Sequence, residues 1–317
     1  MDIDPLKNQL PYKLVKTNDQ LQCRWMDTLG MRFTEPFFEE TIMKCRSARA
    51  NPRMESVSDM QMLAEWSAPM PDIKPAAIIF HISRCGSTLL SQLLATLPQH
   101  IVLSEVPLFD EILRLPLKDT GFNEKDTSSL LAAALQFYGQ SDDCQSHVFI
   151  KADCWHLFFY EQLRRLYPEV PFIILYRSPD AVFRSHKKMS GMHVVRYMIE
   201  PQLFGFEPDG PVFENQDIYI AAVIASYLKK SLEIAENDSN TLLLNYNEGP
   251  MQMIDKIASF AGISLTAQEL GSMEERSRYH SKKPGERFGE EPVRNVEPVL
   301  HDAMKAYQKL DKKRTCQ

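Results

Sequence analysis

The chain has 317 residues, 44% of them hydrophobic and 25% charged, a balance that excludes intrinsic disorder, coiled coil and collagen and leaves room for one large core. Thirty-six Lys and Arg against 42 Asp and Glu give a net charge of −6, so no bulk positive field exists to hold a nucleic acid, and any anion site has to be local. Six cysteines, at 23, 45, 85, 144, 154 and 316, lie scattered without zinc-type spacing, which points to free thiols and a cytoplasmic protein.

The segment 1–16 mixes five charged residues with two prolines and has no apolar centre, so it reads as neither signal peptide nor anchor. The longest apolar run, 219–228, is about half of the roughly 20 residues needed to cross a bilayer, and no membrane contact is expected. Within 1–70, Trp25, Leu29, Phe33, Phe37 and Ile42 recur at three- to four-residue spacing, which predicts a helical N-terminal cap. A proline-rich seam, 69–75, then delivers the chain into a second region, 71–317.

From 76 onward, short β-rich runs alternate with helical patterns. Strands are predicted at 76–80, 101–104, 148–151, 171–176 and 241–245, with helices over 87–97, 155–167, from Pro179, and over 217–236. Apolar strands separated by helices imply a three-layer α/β fold with a central parallel sheet, here carrying an N-terminal helical extension.

The first strand of this region runs into His81-Ile-Ser-Arg-Cys-Gly-Ser-Thr88, and an apolar helix follows at once. A glycine turn between a buried strand and a helix N-terminus aims free N–H groups and the helix dipole at one spot, which suits a phosphate. Arg84 adds forked cationic donors, and Ser87 and Thr88 add hydroxyls. Laid on the nucleoside-triphosphate pattern G-x-x-x-x-G-K-[ST], the loop has His81 in place of the first glycine and Ser87 in place of the lysine. Without that lysine, magnesium-dependent ATP or GTP chemistry is not expected.

Arg84-Cys-Gly-Ser-Thr88 resembles the [KR]-x-G-[ST]-[ST] loop of the sulfotransferase family, whose members move a sulfuryl group from 3'-phosphoadenosine 5'-phosphosulfate (PAPS). A second match lies at Arg177-Ser-Pro-Asp-Ala-Val-Phe-Arg-Ser185, similar to the arginine and serine, eight residues apart, with which the family reads the donor's 3'-phosphate. Pro179 and Asp180 suit a helix start, and Arg177 leaves a strand's carboxyl end, where open α/β sheets bind ligands. The resemblance extends through Phe149-Ile-Lys151, Leu243-Leu-Asn-Tyr-Asn-Glu248 and the helical pattern at 254–262, about three quarters of the chain. A basic loop, His280-Ser-Lys-Lys-Pro-Gly-Glu-Arg-Phe-Gly289, is similar in character to the one that closes over the 3'-phosphate in cytosolic members, with Arg287 or Lys283 as the contact, although the fuller G-x-x-G-x-x-K pattern is absent.

The resemblance implies a P-loop sulfotransferase using PAPS as co-substrate and no metal. Many bacterial and Golgi-type members carry a catalytic glutamate after the second strand, where the cytosolic steroid and phenol enzymes place a histidine. Glu105, in Leu103-Ser-Glu-Val-Pro107, matches that glutamate and is expected to be the general base; its alternatives are an ion pair orienting Arg84 or a cap on the helix near Pro107. The expected scheme is in-line displacement in which Arg84, Cys85, Gly86, Ser87 and Thr88 hold the phosphosulfate. Lys151 and Ser87 assist the leaving oxygen, while Arg177, Ser185 and Arg287 bind the 3'-phosphate. His81 reads as strand-end packing and Cys85 as a small filler rather than a reactive thiol. Asp153 is the one residue that invites a metal reading.

The acceptor is expected to be a small molecule entering past 108–121, 189–215 and part of the N-terminal cap, with Met189, Met192, Met198, Phe204 and Phe206 either as adaptable walls or as core. Its class and the oligomeric state stay open. Two other functions compete: a divergent P-loop kinase or phosphotransferase, and a nucleotide-binding protein that has kept the fold without the chemistry.

Overall fold

The computed structural model describes residues 6–18, 20–49, 55–140, 147–280, 283–287 and 297–317. The N-terminal region holds strands β1 (Gln9–Thr17) and β2 (Gln20–Asp27), helix α1 (Phe38–Ala48), strand β3 (Ser56–Asp59) and helix α2 (Met60–Ser67). The three strands form one antiparallel sheet in the order β1-β2-β3.

This corrects the helical cap expected for 1–70. Leu10, Tyr12 and Leu14 on β1, and Cys23 and Trp25 on β2 with Leu21 partly buried, point to the core at the two-residue period of a strand. The three- to four-residue spacing arises because Leu29 and Phe33 sit in the connection after β2. Leu29 has φ +54° and is half exposed. Only Ile42, of the later residues in that series, belongs to a helix. Asn18, at φ +49° between Thr17 and its partner Gln20, supplies the left-handed residue of a two-residue hairpin. Pro11 is tolerated because β1 is an edge strand and its register shifts there.

Beyond the proline seam come β4 (Ala77–His81), α3 (Ser87–Leu94), β5 (His100–Ser104), α4 (Pro107–Leu113), α5 (Leu115–Lys118) and α6 (Glu124–Tyr138). Next in order are β6 (His147–Lys151), α7 (Tyr160–Leu166), β7 (Phe172–Tyr176), α8 (Pro179–Lys188), α9 (Gln216–Asn237) and β8 (Thr241–Asn245). Helices α10 (Pro250–Phe260) and α11 (Ala267–Ser277), the short pair β9 (Tyr279–His280) and β10 (Lys283–Arg287), and α12 (His301–Arg314) complete the chain.

Five strands make a parallel sheet in the order β5-β6-β4-β7-β8. Every residue of β4, β5 and β7 is buried, as strands covered on both faces require. Helix α3 packs with α10 and α11, and α9 packs with α8 and α12, so the sheet is flanked by helices as expected. The N-terminal sheet docks through β1 onto α4 and α6, where the Tyr138 hydroxyl donates to the Pro11 carbonyl. One contiguous hydrophobic core therefore runs from Leu10 to Leu310. No described helix is long and apolar enough to cross a membrane.

From the central strand β4 the chain crosses to β5 on one side, and from β7 it continues to β8 on the other. The loops leaving β4 and β7 consequently diverge at the sheet's carboxyl edge, and a crevice opens between them.

Candidate functional site

The loop after β4 gets its shape from three left-handed residues: Ser83 (φ +67°), Arg84 (+50°) and Gly86 (+87°). Such residues curl a backbone into a concave turn that gathers amide N–H groups, and α3 begins immediately afterwards. At Gly86 no other residue fits, because a Cβ would stand 2.6 Å from the Tyr246 ring in addition to the positive φ. The Ile82 N–H donates to the Leu175 carbonyl at 3.2 Å, anchoring the loop to β7.

A cleft of about 480 Å³ opens over this loop. Arg84, Gly86, Ser87 and Thr88 line it from β4 and α3, and Arg177 and Ser185 line it from β7 and α8. The two sequence motifs, whose leading arginines Arg84 and Arg177 are 93 residues apart in the chain, thus meet in one pocket. The Arg177 guanidinium donates to the Arg84 carbonyl at 3.3 Å and lies 4.4 Å from the centre of the Tyr246 ring. Arg84 reaches across the mouth and donates to the Met189 carbonyl at 2.7 Å.

Cys85 is not part of the wall. Its thiol turns inward to the Leu175 carbonyl, 3.3 Å away, and burial pushes it up to about 12, which fits a filler and not a nucleophile. Arg287 belongs to β10, paired antiparallel with β9, but its side chain and most of the loop around it lie outside the described residues.

At the end of β5, Glu105 adopts φ +55° while its N–H continues the sheet ladder to the Lys151 carbonyl at 2.8 Å. This turns its carboxylate back onto the Lys151 ammonium, and the two form a buried ion pair. Lys151 is fully buried, 5.2 Å from the Phe37 ring centre, and forms no part of the cleft wall; Glu105 stands between it and the cleft. The expected direct contact of Lys151 with the donor is therefore not what this arrangement offers. Nor does Glu105 cap α4, whose N-cap is Val106, or pair with Arg84.

His81, read as a packing residue, lines the cleft beside this pair. The Ser83 N–H donates to its Nδ1 at 3.1 Å, which puts the ring proton on Nε2, 3.5 Å from the same Glu105 oxygen. Burial lowers the His81 pKa and keeps the ring neutral. Burial alone would raise the Glu105 carboxyl, but the Lys151 charge, with the His81 ring nearby, holds it well below the usual carboxylate range.

Asp153 lines the cleft at the start of a 3-10 turn, Cys154–Phe159. Behind it, the His156 Nδ1 accepts from the Asp153 N–H at 3.3 Å and Nε2 donates to Asp110 at 3.1 Å. Asp110 also accepts from Trp155 and Arg114 and is held at about 2 despite its burial. Asp110, Asp153 and His156 lie close enough to share an ion, yet both ring nitrogens and both Asp110 oxygens are already hydrogen-bonded. As a metal site this cluster does not fit.

Met189, Met192 and Phe37 contribute to the wall. Phe204 lies in the core against Phe158 and Tyr227, Phe206 packs on Phe204, and Met198 is half exposed and outside the wall. Residues 108–121 do not reach the cleft. Tyr246, Trp155, His193 and Tyr279 do, and of these only His193 falls in a segment expected to face the acceptor. Tyr246 had a legible signal, since it follows directly on a predicted strand.

Fold and cleft together define an open parallel α/β protein with a pocket walled by two arginines at the carboxyl edge of its sheet. Its relatives in structure are sulfotransferases, and the fold is the sulfotransferase fold. The chain is similar to the sulfotransferase domain from the curacin biosynthetic pathway, with TM-score 0.50 and 13% identity over 76% of this chain and 99% of that one. It is also similar to a sulfotransferase from Alicyclobacillus acidocaldarius (TM-score 0.44, 18% identity, 77% of this chain and 96% of that one). A third is a sulfotransferase from Mycobacterium avium (TM-score 0.46, 14% identity, 81% and 79%). No family model matches the sequence, and no curated protein does.

Proposed function

We propose that the protein transfers a sulfuryl group from PAPS to a hydroxyl or amine of a small acceptor in the cytoplasm. The observation that carries this reading is the meeting of Arg84 and the 83–88 loop with Arg177 and Ser185 in one cleft. The loop and Arg84 would hold the 5'-phosphosulfate, and Arg177 with Ser185 the 3'-phosphate, so that both charged ends of the donor face fixed cations or helix N-termini. In-line transfer then needs charge on the leaving phosphate neutralised and a proton removed from the acceptor.

Among the described residues the cleft wall contains no lysine, which tells against a triphosphate-dependent kinase. The Glu105–Lys151 pair gives the wall a fixed neutral base plate, with Glu105 facing the cleft and Lys151 behind it. Glu105 supplies the negative charge that lets Lys151 stay buried.

Calorimetric titration with 3'-phosphoadenosine 5'-phosphate, against ATP and without magnesium, tests the donor assignment. Binding tighter than ATP that collapses in Arg177→Ala is expected. Tighter binding of ATP, or no binding of either nucleotide, would sink it.

A further inference from the structure

A group that takes the acceptor's proton has to face the cleft with an atom free to accept it, and works best when its pKa lies near the operating pH. Glu105 is the poorer candidate, because its Oε1 pairs with Lys151 and lies 3.5 Å from His81 Nε2, and the Lys151 charge holds its carboxyl well below the usual carboxylate range. We propose that Asp153 is the catalytic base that takes the acceptor's proton, a role that rests on the sulfuryl-transfer reading above.

Asp153 lies on the cleft wall, nine-tenths buried, two residues beyond the end of β6. No lysine or arginine among the described residues pairs with it. The nearest basic atom is His156 Nε2 at 3.7 Å, and that atom gives its proton to Asp110. The groups that face Asp153 from neighbouring elements are His156, Glu105, Asp110 and Lys151, with the Cys154 thiol and Tyr227 hydroxyl kept neutral by burial. Burial dominates this balance and pushes the Asp153 carboxyl up to about 7, helped by the nearby Glu105 and Asp110 charges and opposed by His156 and Lys151. Two carboxyl groups in one cleft are thus driven in opposite directions, the pattern by which sites divide acid and base roles, and the group poised near neutrality is the better base.

In the step itself, the acceptor oxygen or nitrogen forms a bond to sulfur as the bond from sulfur to the bridging oxygen breaks. The bridging oxygen keeps the electron pair and leaves on 3'-phosphoadenosine 5'-phosphate, and the acceptor's proton passes to an Asp153 carboxylate oxygen.

The test uses the full chain with labelled PAPS, and water, short alcohols and 4-nitrophenol as acceptor probes. Asn caps a turn as well as Asp does, so Asp153→Asn preserves the start of the 3-10 turn while removing the base. Wild-type transfer is expected to rise with pH to a plateau with a midpoint near neutrality. The variant should bind 3'-phosphoadenosine 5'-phosphate as before, turn over roughly 100- to 10,000-fold more slowly and lose that pH dependence. Carboxyl 13C NMR of the nucleotide-saturated protein, with the signal assigned by its disappearance in the variant, should show Asp153 titrating near pH 7. This measurement keeps the proposal open to refutation even where no probe is turned over. A midpoint in the ordinary aspartate range, or a variant with the wild-type rate and pH profile, overturns the proposal. Failure of the wild type to bind the nucleotide would instead overturn the donor reading.

Discussion

The ends of β5 and β6 each send a carboxylate into the same cleft, and the two could hardly be treated more differently. Glu105 is turned by a left-handed backbone onto Lys151, so that burial is outweighed by a full opposite charge. Asp153, from the neighbouring strand, has a histidine behind it whose proton is given to Asp110, so that burial prevails. The difference shows that depth alone does not set a carboxyl's charge. What matters is whether the sheet register brings a cation to the same oxygen.

Breaking the Glu105 side should have the largest effect. Glu105→Gln strands a fully buried ammonium, for which about 3–5 kcal/mol of lost stability is expected by urea unfolding. The wild-type contribution is complete above the unfolded glutamate value of about 4.3 and is lost as pH falls through the lower folded one. Arg177→Ala leaves both carboxylates in place and serves as the contrast. It should weaken 3'-phosphoadenosine 5'-phosphate about 100-fold, close to 3 kcal/mol for a charge-assisted contact, with little change in unfolding.

Asp153→Asn sharpens the comparison by reversing its sign. A folded value raised above the unfolded one means that wild-type stability declines as pH climbs from about 4 to about 7 and then levels off. The asparagine variant lacks that slope and should gain about 2 kcal/mol on the wild type between pH 5 and pH 7. If the gap stays constant with pH, the contrast between the two carboxylates is wrong. The smallest effect concerns Cys85, which should remain unmodified by iodoacetamide in the native protein, as peptide mass analysis can show.

The parallel sheet and the loop after β4 were legible because each rests on neighbours in sequence. Uniform apolar runs such as 172–176 can be buried on both faces, and Gly86 with Arg84 builds its turn locally. The N-terminal sheet was obscured by Pro11 and by the exposed Lys13 and Lys16 of β1, while Leu29 and Phe33 mimicked a helical spacing in an irregular connection. The Glu105–Lys151 pair depends on β5 lying beside β6, a long-range fact absent from either local segment. Asp153 drew attention as a metal ligand because its carboxylate was visible and its hydrogen-bonded neighbours were not. Met189 and Met192 were legible as wall, whereas Phe204, of the same apolar stretch, is drawn into the core by Phe158 and Tyr227.

The central position of β4 has a consequence for the order in which a growing chain acquires its parts. The β1–β2 hairpin can close on residues 9–27 alone, but β4 is completed only by β6 and β7, and its loop is held in shape by the Leu175 carbonyl and the Tyr246 ring. During synthesis the loop after β4 therefore exists as sequence long before it exists as a shape, because non-local parallel pairing has to wait for its partners. Ribosome-bound chains ending before residue 172 should leave Cys85 open to alkylation, and chains long enough for residue 246 to have left the ribosome should close it.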